Sequence, residues 1–263
     1  REGLPNTRRS SVPVNAIVSA VGPEAAAARV RDAGCTTVKV KVAEPGETLD
    51  DDLARVEAVR GALGPAGAIR VDANMAWDPQ TAATALRELS QFDLEYAEQP
   101  CRTVAELGEL RRLLVSSGTI VLLAADESIR LSAEPLLVRD VADVAIIKVQ
   151  PLGGIRRSLQ LVEELAMPAV VSSAVETSVG LNAGVFLAAA LPELPYACGL
   201  ETISLLTDDV TASSLRAVGG ELMVGRVEVD ETALERVGAA AGISDWWHRR
   251  LTRALKHLGE ERL

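Results

Sequence analysis

Apolar residues along this chain fall into short β-branched runs that alternate with longer stretches in which they recur every three or four positions. Residues 12–20, 36–42, 69–74, 94–100, 121–126, 144–149, 169–173 and 196–200 read as strands. Between them, 23–33 is an Ala-rich helix ended by Gly34, and Leu49, Leu53, Val56, Val59 and Leu63 mark one buried helical face. Asp78-Pro79 supplies an N-cap and a first-turn proline for a helix running to about Gln91. Further helices are predicted over 103–115, 132–138, 154–165 and 178–190. Strands apolar along their whole length, such as 144–149, suit a parallel sheet covered on both faces. Regular alternation gives the α/β class, and eight strands favour a closed (β/α)8 barrel of the TIM type over an open sheet. No GxGxxG follows the first strand, which removes the main support for a dinucleotide-binding fold.

This divides the chain into an N-terminal linker, 1–11, a barrel, 12–200, and a C-terminal segment, 201–263, expected to pack on the barrel. That segment is predicted to hold a short strand near 222–224 and a helical tail in two pieces broken near Gly242.

Composition narrows the partners. The 263 residues are 48% hydrophobic but only 3% aromatic, so Ala, Val and Leu do most of the packing. A formal charge of −10 argues against nucleic acid and against an anionic membrane as partners. Cys35, Cys101 and Cys198 are scattered and odd in number, which indicates neither a disulfide framework nor a zinc site and fits a reducing cytoplasm. The sequence leaves oligomeric state open.

Five successive strand ends carry ionisable groups: Lys39-Val-Lys41, Asp72-Ala-Asn74, Glu98-Gln99-Pro100, Asp126-Glu127-Ser128 and Lys148. A barrel gathers its strand C-termini around one mouth, so these side chains converge. Asp72, Glu98 and Asp126 would repel one another without a cation, and hard oxygen donors select Mg2+, with Mn2+ as the substitute. Lys41 and Lys148 flank the trio, and Lys39 shares the inward face of Lys41 by period two. Two lysines across a metal suit abstraction of a proton next to a carboxylate. Each residue alone has a plainer reading: a strand-end acid is more often a helix cap, and a strand lysine more often reaches to solvent. Lys148 resists that reading because it interrupts Val-Ala-Ile-Ile-Lys-Val.

As a set, Lys39-Val-Lys41, Asp72-Ala-Asn74-Met-Ala-Trp77, Glu98-Gln99-Pro100, Asp126-Glu127-Ser128 and Ile147-Lys148-Val-Gln-Pro-Leu-Gly-Gly154 resemble the enolase superfamily in its muconate-lactonising subgroup. Within it, VVSSAVETSVGLNAG from Val170 and ALPELPYACGL from Ala190 are most similar to actinobacterial o-succinylbenzoate synthases. The resemblance implies a lyase of menaquinone synthesis that dehydrates a cyclohexadiene carboxylate. It implies Lys41 as base and then acid, Lys148 as the cation over the opposite face, and Asp72, Glu98 and Asp126 as Mg2+ ligands. Lys39 and Asn74 are expected beside the substrate. Ser172 and Ser173 either receive the succinyl carboxylate or cap the following helix, and the two readings stand level.

Alternatives remain: an N-succinylamino acid racemase using the same lysines, or a barrel kept for binding or structure without turnover. Dipeptide epimerases are disfavoured, because Cys198-Gly-Leu-Glu201 stands where they carry an Asp-x-Asp. With the first barrel strand at about Val12, the chain is expected to lack most or all of the superfamily's N-terminal capping domain.

Overall fold

A computed structural model describes residues 6 and 8–260; the expected linker therefore lies partly outside the described residues. The described end of that segment is tied down: Arg8 N–H donates to Ala189 O and the Arg9 guanidinium to Leu191 O. Ser11–Pro13 (β1) is already strand.

After it come Ala16–Val18 (β2), Pro23–Ala33 (α1), Thr37–Lys41 (β3), Leu49–Leu63 (α2), Ala68–Asp72 (β4), Pro79–Leu89 (α3) and Leu94–Glu98 (β5). Val104–Ser117 (α4), Leu123–Ala125 (β6), Glu127–Arg130 (α5), Val144–Lys148 (β7), Ile155–Leu165 (α6), Ala169–Ser172 (β8) and Ser178–Ala190 (α7) complete the repeat. β2 to β8 pair in sequence order, each parallel to the next. The expected eighth barrel strand at 196–200 is reduced to parallel bridges of Cys198 to Val14 and of Gly199 to Ser172. Those bridges close the ring between β8 and the start of β2. Pro192 and Pro195 lack the N–H groups a longer ladder would need.

Strand alternation sorts side chains into two groups. Tyr96, Ala124, Val144, Ile146 and Val170 fill the barrel interior. Their neighbours Ala97, Ala125, Ala145, Ile147 and Val171 join the shell between sheet and helices. Sequence-encoded caps fix where helices start. Thr48 with Asp51 and Thr103 with Glu106 form capping boxes, and the Asp78 carboxylate receives the N–H groups of Gln80 and Thr81.

The helix expected at 132–138 is instead the short α5 followed by a 3-10 turn, Pro135–Asp140. Pro135 has no N–H to give and starts a turn where the periodicity alone continued a helix. Beyond the barrel, Glu221–Met223 (β9) pairs antiparallel with β1, setting Val12 against Leu222, both fully buried. Glu231–Arg236 (α8) and Ala241–Glu260 (α9) form the two-piece tail, with the break at 237–240. Leu222 and Ala233 are buried, whereas α9 keeps Ile243, Trp246, Trp247, Leu251 and Leu255 exposed. No described helix is long and apolar enough to cross a membrane.

Candidate active site

In-register pairing places Lys41, Asp72 and Glu98 in one row across β3, β4 and β5, at the C-terminal ends of those strands. Lys148 ends β7, four strands from β3 around an eight-membered ring, so the two lysines face each other across the mouth. Asp126 follows β6, beside Lys148. Lys39 Nζ, buried one step deeper, lies 3.0 Å from Asp72 Oδ2 and 2.9 Å from Glu98 Oε1. Lys41 Nζ donates to the same Asp72 oxygen at 2.6 Å and also to Asn74 Oδ1. Lys148 Nζ donates to Asp126 Oδ2 at 2.5 Å.

The three carboxylates are 1–2% exposed, which makes their charges expensive unless compensated. Burial and the neighbouring Asp72 charge push Glu98 up to about 7. Burial also raises Asp126, against the pull of Lys148. At Asp72 burial works upward too, but Lys39 and Lys41 together overcome it and hold the carboxyl well below its usual range. Burial opposes the Lys39 ammonium, and Asp72 and Glu98 more than reverse that, holding it well above the ordinary lysine value.

A divalent cation fits the donor set by chemistry: three buried carboxylates at the ends of consecutive strands. The described residues do not form a ready-made metal cluster of three acids. The Lys39 ammonium bridges Asp72 and Glu98, and the Lys148 ammonium engages Asp126.

Asn74 lies on left-handed backbone, φ 43°, and links Lys41 to Glu127 through its amide, Nδ2 being 3.3 Å from Glu127 Oε1. Ser172 ends β8 and Ser173 follows it, both buried. The Ser173 hydroxyl donates to Glu176 Oε2 and accepts from Val175 N–H at 2.8 Å and Thr202 Oγ1 at 2.7 Å. Ser172 Oγ donates to Gly199 O at 3.4 Å. The N-cap of the following helix α7 is Thr177, which makes no side-chain capping bond, so neither serine caps it. Ser173 instead organises the turn before it.

Three residues near the site were given no role by the pattern of strand ends. Gln99, with φ 36°, accepts the N–H groups of Asp126 and Ser128 on Oε1 and so ties the β5 end to the β6 end. Arg130 pairs with Asp126 and Glu127; its signal was its spacing of four and three from two acids on one helical turn. Arg70, fully buried, lies one inward step below Asp72, pairs with Glu95 at 2.5 Å and stacks 4.7 Å over the Tyr96 ring. Its period-two relation to Asp72 carried that signal.

A profile of the Enolase C-terminal domain-like family matches residues 23–230. The o-succinylbenzoate synthase of Thermobifida fusca is 59% identical over 237 residues, 89% of this chain and 73% of that protein. The o-succinylbenzoate synthase of Mycobacterium bovis is 48% identical over 251 residues, 92% of this chain and 73% of that protein. Among solved structures, an N-succinyl Arg/Lys racemase from Bacillus cereus superposes with a TM-score of 0.76 at 25% identity, covering 89% of this chain and 65% of that one. A muconate cycloisomerase from Pseudomonas fluorescens gives 0.75 at 26% identity, covering 88% and 66%. The chain belongs to the enolase superfamily, as a barrel of the Enolase C-terminal domain-like family in the muconate-lactonising subgroup.

Proposed function

We propose that the chain is a hydro-lyase, an o-succinylbenzoate synthase, that carries out the syn dehydration of 2-succinyl-6-hydroxy-2,4-cyclohexadiene-1-carboxylate to o-succinylbenzoate. The observation that carries the reading is the opposed pair Lys41 and Lys148 at either end of a row of buried carboxylates. Identity of 59% to a synthase of that name over most of the chain supports the choice of reaction. The product's place in menaquinone synthesis belongs to the same proposal.

Asp72, Glu98 and Asp126 would hold Mg2+ or Mn2+, which when bound neutralises their charge and that of the substrate carboxylate. Lys41, as free amine, takes the proton from the ring carbon bearing the carboxylate. The electron pair left behind delocalises into that carboxylate, and the Lys148 ammonium faces it from the opposite side and lowers its energy. Lys41, now an ammonium, returns its proton to the leaving hydroxyl on the same face. The C–O bond breaks, water departs and the ring becomes aromatic. One lysine serving as base and then acid gives the syn stereochemistry. Lys39, already paired with Asp72 and Glu98, holds the inner carboxylates in place.

The test is turnover of the cyclohexadiene carboxylate followed by its absorbance with Mg2+ present. EDTA and Lys41→Ala should each abolish it, the mutation by a factor of at least about 10². Turnover persisting in the mutant would remove Lys41 from this role. Exchange of the α-proton of an N-succinylamino acid in deuterated water, without dehydration of the synthase substrate, would favour a racemase.

A further inference from the structure

Three buried side-chain atoms without a hydrogen-bond partner lie together where β6 runs into α5: Asp126 Oδ1, Glu127 Oε2 and Arg130 Nε. Asp126 and Glu127 are 1% and 4% exposed, so each unpaired oxygen carries a desolvation cost. Arg130 reaches back one helical turn: its Nε stands 3.5 Å from Asp126 Oδ1, and a terminal nitrogen of the guanidinium 3.0 Å from Glu127 Oε1. From there the contacts divide. Asp126 leads to Lys148 through its other oxygen, and Glu127 leads to Lys41 through Asn74. One guanidinium thus touches both acids that connect to the two opposed lysines.

We propose that Arg130 is a positioning residue for Asp126, pairing with Oδ1, the oxygen that Lys148 does not engage, so that the carboxylate keeps its orientation when a divalent cation takes over from the Lys148 ammonium on Oδ2. The inference rests on Asp126 being a metal ligand. Two effects oppose each other. By charge alone, a guanidinium beside a ligand repels a divalent cation, and its removal would tighten binding. By orientation, losing an outer partner of a metal ligand loosens binding, typically by roughly 10- to 100-fold. Orientation dominates here. Glu127, 3.0 Å away, offsets much of the Arg130 charge, whereas, among the described residues, Asp126 Oδ1 has no hydrogen-bond partner and stands in an ion pair with Arg130 at 3.5 Å.

The test is titration of the purified chain with Mn2+ alone, free Mn2+ being read from its electron paramagnetic resonance signal. Arg130→Met, similar in length but uncharged, should bind Mn2+ roughly tenfold more weakly than the unaltered chain. Arg130→Lys keeps the charge but loses the fork and should stay weak. Unchanged or tighter binding in Arg130→Met overturns the proposal, as does full recovery in Arg130→Lys. If Arg130→Met does not fold, as judged by its melting curve, Glu127→Gln weakens the second anchor of the same guanidinium and should also loosen Mn2+; unchanged binding there overturns it equally. Absence of Mn2+ binding by the unaltered chain would instead overturn the ligand assignment, and this inference with it. Mn2+ binding that is lost in Asp126→Asn yet unaffected in Arg130→Met leaves the ligands standing and removes only Arg130.

Discussion

Lys148 Nζ and Asp126 Oδ2 stand 2.5 Å apart at the ends of neighbouring strands, and Lys41 repeats the arrangement with Asp72 at 2.6 Å on the far side of the mouth. Each lysine is held by a carboxylate that is itself 1% exposed, so neither side chain is free to wander into solvent. Position is set before a substrate arrives, which is the preorganisation that proton transfer next to a carboxylate needs.

Lys148→Ala should therefore lower turnover by about 10² to 10⁴ while Lys148→Arg fails to restore it, because a planar guanidinium does not reproduce a compact ammonium at that point. Steady-state kinetics check this. Turnover within threefold of the unaltered chain in Lys148→Ala would show that charge opposite Lys41 is unnecessary.

Three buried carboxylates, two of them raised by burial, make the site dependent on compensating cations. Mg2+ at about a thousand times its dissociation constant should stabilise the fold by about 4 kcal/mol, and Asp72→Asn should remove most of that gain. Thermal melts with Mg2+ and with EDTA measure it. Coincident curves would mean that the ammonium groups alone neutralise the trio.

Most of this site was legible because it obeys two simple periods. Strand period two put Lys39 with Lys41 and Asp72 in line inside the barrel, and the repeat of strand and helix brought separate strand ends to one mouth. What was not legible depends on side chains reaching between elements. Gln99 binds backbone at Asp126 and Ser128, and Ser173 is taken up by Glu176 and Thr202. Hydrophobic pattern carries no information about such polar contacts. The last barrel strand was misjudged in extent because its closure needs only Cys198 and Gly199. A Cβ at Gly199 would lie 2.5 Å from Ser172 Oγ, a close approach that a strand-length apolar run does not reveal.

Arg70 has no exposure and four kinds of partner: Glu95 at 2.5 Å, Asn15 Oδ1 at 3.0 Å, Ala197 O at 2.8 Å and the Tyr96 ring. Arg70→Ala should cost about 3–5 kcal/mol, since it leaves the Asn15 and Ala197 acceptors unpaired inside the barrel and opens a cavity. Arg70→Met, which refills the volume, should recover part of that loss. Urea denaturation resolves the two. An Arg70→Ala cost under about 1 kcal/mol would mean that water replaces the guanidinium without penalty.

Asp209 holds the start of α7 by accepting from the N–H and hydroxyl of Ser178. Burial works to raise its carboxyl, but the hydroxyl and N–H of Ser178 and the N–H of Val210 outweigh that and lower it to about 2. A carboxyl depressed from an unfolded value of about 3.9 contributes stability that is fully present above that pH and is lost as pH falls toward 2. Solvent near the carboxylate screens part of this, which leaves on the order of 1 kcal/mol. Asp209→Asn should therefore be less stable than the unaltered chain by about that amount at pH 7, with the gap narrowing between about pH 4 and 2. Denaturation at the two ends of that range decides it. A gap that stays constant with pH would assign the loss to hydrogen-bond geometry and not to the charge.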